Sequence, residues 1–180
     1  MNEHSAEEHW YAYKVLYNSL ERIKQLAAQD NLRYFVPMRA IVKPDDCTVA
    51  RSSEPIIPSL IFIRSQADRV ESIRRNSGYR AGVYCYPGTT TPARIPDREM
   101  EIFMFVTATG CKSLEAIDEK LLKGDRVRIT AGVFEGAEGY IARIHGTKRF
   151  VVAIEGVAAI ATVFIPKRFI EKLSDKAVLA

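Results

Sequence analysis

The sequence has few cysteines and lacks long hydrophobic runs. Its 180 residues include three cysteines, Cys47, Cys85 and Cys111, which are far apart and form no C-x-x-C pair. The sequence therefore predicts neither a disulfide framework nor a zinc site. No apolar run of about 18 residues occurs, and the acidic N-terminus lacks the basic and apolar regions of a signal peptide. We expect a cytoplasmic protein that makes no contact with a membrane.

Glycine and proline are also scarce, and the excess of positive charge is small. With 10 Gly, 8 Pro, 47% hydrophobic and 27% charged residues, the composition excludes collagen-like, low-complexity and wholly disordered proteins. The net charge of +4 does not by itself identify a nucleic-acid-binding protein. Arginines concentrate between Arg64 and Arg80, and we interpret this stretch as a solvated face unless further observations assign it a partner.

Strand and helix patterns alternate over the first part of the chain. Asn18 with Glu21 resembles a helix capping box, and Asp68 and Pro96 open two further helical patterns. Between them, strand patterns cover residues 10–16, 33–38, 60–64 and 81–86. Such alternation predicts an α+β domain, a sheet with helices packed against it. We place this domain at residues 10–106, after a disordered N-terminus at residues 1–9.

A different pattern begins after residue 122, where β-branched residues and glycines replace helix signals. Short strands within about 55 residues are best closed as a small barrel, because closure leaves no exposed edge. The alanine-rich segment 158–161 is where a helix would compete most strongly with a strand. The predicted segments are a linker at residues 107–122, an all-β, SH3-like five-stranded barrel at 123–173 and a tail at 174–180.

The start of the predicted barrel carries a recognisable motif. Residues Lys123 to Ile144, K-G-D-R-V-R-I-T-A-G-V-F-E-G-A-E-G-Y-I-A-R-I, resemble the KOW motif of NusG-type transcription elongation factors. Gly132, Gly136 and Gly139 are expected to permit positive φ in its loop and turn. The motif also occurs in ribosomal proteins, so the first domain has to separate the two families.

Four segments of the first domain resemble successive landmarks of the NusG N-terminal domain. They are W-Y-A-Y-K-V, R-Y-F-V-P-M, S-E-P-I-I-P-S-L-I-F-I-R and R-I-P-D-R-E-M, in that order. The resemblance extends from Trp10 to Leu173. Within it, Ala153 to Pro166 is similar to the UpxY-type antiterminators of capsular-polysaccharide operons. The sequence is thus identified as a member of the NusG family and as a specialised paralogue.

This resemblance implies a transcription factor that binds RNA polymerase and suppresses pausing or termination. The N-terminal domain would hold the β′ clamp helices in an apolar depression and reach the β gate loop. The matching apolar positions are Leu60, Phe62 and Ile95. Leu60 and Phe62 lie two residues apart on one strand, so they share a face. The alternative interpretation is that all three belong to the core.

The resemblance also assigns polar contacts in this domain. The gate-loop contact falls on Ser72, Arg74 and Arg75, where guanidinium groups suit carboxylates or phosphates; a solvated helix face is the alternative. Contact with non-template DNA would use basic and aromatic groups near the first helix. Those candidates are Lys14, Tyr17, Arg22 and Lys24.

In NusG the barrel contacts ribosomal protein S10 or Rho through a loop with a prominent Phe, and that position is Val157 here. The missing anchor weakens the expectation of either contact. The neighbouring loop offers Phe134, and the apolar residues around Val157 suggest a docking loop or packing within the protein.

The sequence shows no pattern typical of an enzyme. Its three histidines are scattered, and no Gly-rich phosphate loop precedes a helix. We expect a monomer that has no catalytic residues and no cofactor or metal. The alternative function is a KOW-type RNA-binding or ribosome-associated module. Its basic surface would comprise Arg126, Arg128, Arg143, Lys148 and Arg149.

Overall fold

The computed structural model describes residues 7–16, 18–41, 52–108, 114–117, 124–162 and 165–173. Two compact units can be distinguished. The N-terminal unit comprises Met1–Met38 and Ile57–Met100, and the C-terminal unit comprises Arg39–Ile56 and Glu101–Ala180. None of the helices in the described ranges is long and apolar enough to span a membrane.

The described residues form three α-helices, one 3₁₀ turn at Lys167–Phe169 and twelve strands. The helices are α1 (Leu20–Gln29), α2 (Arg69–Asn76) and α3 (Asp97–Ala108). The strands are β1 (His9–Val15), β2 (Arg33–Phe35), β3 (Met38–Ile41), β4 (Ser52–Pro55), β5 (Leu60–Ser65), β6 (Ala81–Val83), β7 (Glu115–Ile117), β8 (Asp125–Ile129), β9 (Glu138–Ile144), β10 (Thr147–Ile154), β11 (Ala158–Ala161) and β12 (Ile170–Lys172).

The N-terminal unit is built on a four-stranded antiparallel sheet in the order β2-β5-β1-β6. One face of the sheet carries Tyr11 and Tyr13 of β1 and Ile63 of β5, which form a core cluster with Ile23 of α1 and Val70 of α2. Both helices contribute to this one cluster, so they cover the same face of the sheet. Burying each of these aliphatic side chains stabilises the fold by about 1.5–3 kcal/mol.

Two details of the predicted N-terminal elements are wrong. Helix α1 has Ser19 as its N-cap, and Asn18, the predicted cap, precedes it with φ +35°. The predicted strand over residues 33–38 is split into β2 and β3. Pro37, which lies in the break, has no N–H to donate to a sheet ladder. Beyond the sheet, β3 pairs with β4.

The C-terminal unit contains a six-stranded antiparallel sheet in the order β12-β8-β9-β10-β11-β7. Five of its strands, β8 to β12, lie within the range predicted for the barrel. The alanine-rich segment 158–161 is strand β11 and not a helix. The fold class, an α+β unit and a sheet-rich KOW-like unit, is therefore as predicted.

The sixth strand corrects the predicted linker over residues 107–122. Strand β7 lies inside that range and pairs with β11. Its Ile117 packs against a cluster of small side chains that includes Ala159 and Ala161. Helix α3 also extends two residues past the predicted boundary at Val106.

Gly139 is needed in β9 for a reason other than the predicted one. Gly132 and Gly136 have φ +89° and +83°, as expected, but Gly139 is not among the residues with positive φ. A Cβ at Gly139 would collide with the carbonyl oxygen of Val151 and would lie 2.8 Å from the Phe150 ring. The glycine therefore permits β9 and β10 to approach closely.

Gly139→Ala should destabilise the C-terminal sheet by about 1–3 kcal/mol, because the backbone of β10 would have to move. Chemical denaturation followed by circular dichroism measures the loss. The matched control is Gly82→Ala, where the nearest atom to a new Cβ is 4.0 Å away. Equal stability of the two variants would contradict the close-approach argument.

A second prediction concerns Tyr13, which is fully buried. Burial raises the pKa of its hydroxyl above the ordinary value of 10.0. As the pH rises, Tyr13 therefore ionises in the unfolded chain before it ionises in the folded protein. The contribution of Tyr13 to the free energy of unfolding is present below about pH 10 and is lost above it. Tyr13→Phe should reduce this alkaline loss of stability, measured as the shift of the denaturation midpoint between about pH 8 and pH 11. Tyr34→Phe, at an exposed tyrosine, should leave it unchanged, and an unchanged loss in Tyr13→Phe would refute the assignment.

Candidate functional site

The second face of the N-terminal sheet contains the three residues predicted to bind the clamp helices. Ala12 lies opposite Phe62, and Ile95 forms a bridge with Trp10, with the Ile95 N–H donating to the Trp10 carbonyl oxygen at 2.9 Å. Leu60 and Phe62 therefore share a face, as predicted, and Ile95 lies on the far side of β1.

These three side chains are buried. Leu60 is 1%, Phe62 0% and Ile95 4% exposed. The three residues therefore belong to the core in this structure and do not line an open groove. The physical reason is that β5 is an inner strand with side chains covered on both faces. Alternation along the strand identifies a shared face but not whether other elements cover it.

Part of the accessible apolar surface of this unit lies at the edge strand β2 and directly after it. Phe35 of the edge strand β2 is half-buried, and its ring centroid lies 6.3 Å from that of Phe62. Met38, three residues further on, is 36% exposed. The guanidinium of Arg33 lies 5.9 Å from the Trp10 ring centroid. Phe35 and Met38, together with the Arg33 guanidinium, are thus accessible to a partner. The buried trio is not.

The predicted gate-loop residues lie on α2 in different states. The Ser72 hydroxyl donates to the Arg69 carbonyl oxygen at 2.7 Å. Arg74 pairs with Glu71 at 2.7 Å and lies 6.0 Å from the Tyr79 ring centroid. Arg75 is exposed and forms no ion pair with any described residue. Of the three, Arg75 is therefore the side chain most available to an acidic partner.

The predicted nucleic-acid contacts are not gathered into one basic patch. Lys14 is exposed on β1 and lines a shallow recess with Glu21, Ser59 and other residues. Lys24 pairs with Glu21 at 2.8 Å, and Arg22 is exposed on α1. Tyr17 lies outside the described residues. Glu21 adds negative charge both to the recess and to Lys24, which disfavours phosphate binding there.

Tyr79 is an exposed aromatic residue that the sequence patterns did not single out. It is 60% exposed and has φ +58°, in the left-handed region, directly after Gly78 at φ +67°. Its N–H donates to the Arg74 carbonyl oxygen at 3.0 Å, which closes the end of α2. An aromatic residue directly after a helix-ending glycine was the available signal. The strained backbone presents its ring beside Arg74, next to the predicted gate-loop residues.

In the C-terminal unit, the predicted partner loop is only partly accessible. Phe134 is 1% exposed, with its ring centroid 6.2 Å from that of Phe150, so it is a core residue in this structure. The aromatic ring completes the sheet core that aliphatic residues such as Ile129 also fill. Val157 is half-buried in the turn between β10 and β11.

Most of the predicted basic surface of this unit is paired with carboxylates. Arg126 and Arg128 both contact Glu138, at 3.7 and 2.8 Å. The hydrogen bond to Glu138 raises the pKa of Arg128. Arg149 contacts Glu115 at 2.9 Å.

The other two cations of that surface, Arg143 and Lys148, lie near the carboxylate of Asp125, which is paired with Lys172. Lys148 and Arg143 face each other across β9 and β10. Close by, a hydrogen bond from Lys172 lowers the pKa of Asp125. The five cations therefore do not form one open surface for RNA.

Comparison with known proteins assigns the class. Residues 8–104, more than half of the chain, match the family profile described as "Transcription termination factor nusG". This match defines a transcription elongation or antitermination factor, a class that is generally non-enzymatic and binds RNA polymerase. The chain belongs to the NusG family.

A comparison with solved structures found a similar chain, and a comparison with curated proteins found none. A solved structure described as "Domain interaction in Thermotoga maritima NusG" is 18% identical, with a TM-score of 0.49, over 93% of this chain and 98% of that chain. No curated protein matches the sequence.

The burial of Phe62 gives a direct prediction. Phe62→Ala should lower the free energy of unfolding by about 3–5 kcal/mol, since it leaves a cavity beside Phe35. Thermal and chemical denaturation measure this change. Phe105→Ala removes a ring that is 43% exposed and should cost clearly less. If Phe62→Ala melts like the unmodified protein, the ring does not support the sheet as its burial implies.

Proposed function

We propose that the protein is a specialised NusG paralogue of the UpxY type that binds RNA polymerase and suppresses pausing or termination at capsular-polysaccharide operons. The observation that carries the proposal is the family match over residues 8–104, which covers strands β1 to β6, helices α1 and α2 and most of helix α3. Sequence similarity of residues 153–166 to UpxY-type antiterminators supports the specialised role. The proposed working division is a polymerase-binding domain at 10–106 and a KOW domain at 123–173.

In this proposal the β′ clamp helices dock along the apolar edge of the N-terminal sheet. Phe35 and Met38 make the direct contact, and Leu60, Phe62 and Ile95 hold the face from beneath. A helical partner needs apolar anchors at the surface. The Phe35 ring lies beside that of Phe62, and Met38 follows three residues later. Phe35, which is half-buried, loses little conformational freedom on binding.

The β gate loop would contact the exposed face of α2. Arg75 is available for a carboxylate of the β subunit, and Arg74 with Tyr79 offers a planar cation beside a ring. Non-template DNA near Lys14 and Arg22 is a weaker part of the proposal, because Lys24 and the adjoining recess are both close to Glu21.

The alternative function, a KOW-type RNA-binding or ribosome-associated module, receives less support. Three of its five cations, Arg126, Arg128 and Arg149, are engaged with Glu138 or Glu115. An ion-paired arginine must give up its carboxylate before it can hold a phosphate, which weakens binding.

The binding surface can be tested with Met38→Asp. Because Met38 is already exposed, the substitution should leave the melting temperature nearly unchanged, while its charge should weaken binding to core RNA polymerase at least about tenfold. Fluorescence anisotropy with the labelled full chain measures the affinity. Val133→Asp, at an apolar residue that is 72% exposed on the C-terminal unit, is the matched control.

The outcomes separate the surface from the function. Unchanged binding by a folded Met38→Asp variant removes the proposed edge surface but leaves the function standing. Absence of any polymerase binding by the unmodified protein refutes the function itself. Transcript profiling of a deletion strain then tests the operon. Capsular transcripts should be truncated downstream of their leader, and a uniform change across all operons would contradict the specialised role.

A further inference from the structure

The outer edge of β11 is covered by a very short strand of the same chain. On one side β11 pairs with the long strand β10, and on the other it pairs only with the three residues of β7. Ala159 lies opposite Ile117, and Ala161 lies opposite Glu115. A strand of three residues makes few backbone hydrogen bonds, so it holds this edge weakly compared with a full strand.

The side chains of β7 show what this edge recognises. Ile117 packs against a buried cluster that consists of Ala142, Val151, Ala159 and Ala161. On the same face, two residues earlier, the Glu115 carboxylate accepts a hydrogen bond from Arg149 at 2.9 Å and lies 3.4 Å from the His145 ring. The edge therefore combines a backbone ladder, an apolar recess and a half-buried cation.

These are the components of strand addition, in which main-chain hydrogen bonds give affinity and alternate side chains give specificity. Arg149 is 25% exposed and Glu115 is 41% exposed, so the ion pair is only partly accessible to solvent. A guanidinium held beside a sheet edge selects a carboxylate at one register position. The spacing of Glu115 and Ile117 then selects a branched apolar residue two positions later.

We propose that the β11 edge, with Arg149, is a docking site for an extended acidic segment of a partner protein, and that β7 occupies this site as an internal competitor. The partner segment would carry a carboxylate at the register position of Glu115 and a branched apolar residue at that of Ile117. Because β7 belongs to the same chain, it competes intramolecularly for this edge, so a partner has to displace it. This proposal does not depend on the proposed polymerase surface.

The test uses the full chain with Glu115→Arg, which places two cations together and should release β7. The probe is a fluorescent peptide with the sequence of residues 112–119, K-S-L-E-A-I-D-E. It should bind the variant at least about tenfold more tightly than the unmodified protein, because the internal competitor is gone. Amide resonances of β11 should shift on binding. Glu171→Arg, the same change on β12 at the opposite end of the strand order, is the matched control and should bind like the unmodified protein.

A charge swap tests the role of Arg149. A peptide with arginine at the Glu115 position should bind poorly to the Glu115→Arg variant. The same peptide should bind the Glu115→Arg, Arg149→Glu double variant only if β7 can be displaced from the β11 edge. The proposal is overturned if folded Glu115→Arg binds the first peptide no better than the Glu171→Arg control. It is also overturned if Glu115→Arg fails to fold, because β7 is then an integral part of the sheet. A concentration-dependent dimer that Arg149→Glu abolishes in sedimentation would assign the edge to a second copy instead.

Discussion

The N-terminal unit depends on the antiparallel pairing of β1 with β5, the two inner strands of its sheet. This register places Tyr11 opposite Ile63 on the face that packs against α1 and α2, and Ala12 opposite Phe62 on the other face. A slip of one residue would exchange the two sets of side chains between the faces. The helical core, the buried trio and the position of the edge residue Phe35 all follow from this one alignment.

The order of elements in the N-terminal unit was predictable because hydrophobic periodicity differs between helices and strands. Local details were less so. Asn18 and Ser19 are both good capping residues, and the sequence does not show which of them takes the position. Strand β7 was missed for a different reason. Its place depends on Arg149 and on alanines about 40 residues away, and no local pattern contains that information.

The candidate site was predictable in part. Spacing along β5 gave the shared face of Leu60 and Phe62 correctly, but burial depends on what packs over that face, which the spacing does not contain. The same gap explains Phe134, an aromatic residue in a loop that turns inward. Charge counts had a similar weakness. The arginines of the C-terminal sheet look available in the sequence, whereas in the fold cross-strand and edge neighbours such as Glu138 and Glu115 engage three of them.

The central position of β1 has a consequence for synthesis on the ribosome. β1 is made first, but its two sheet neighbours, β5 and β6, end at Ser65 and Val83. At about 5–20 residues per second, the nascent strand waits for several seconds with both hydrogen-bonding edges unpaired. A strand with buried residues on both faces is prone to aggregate during such an interval. Faster translation of residues 16–83 therefore shortens the interval in which β1 is exposed to aggregation.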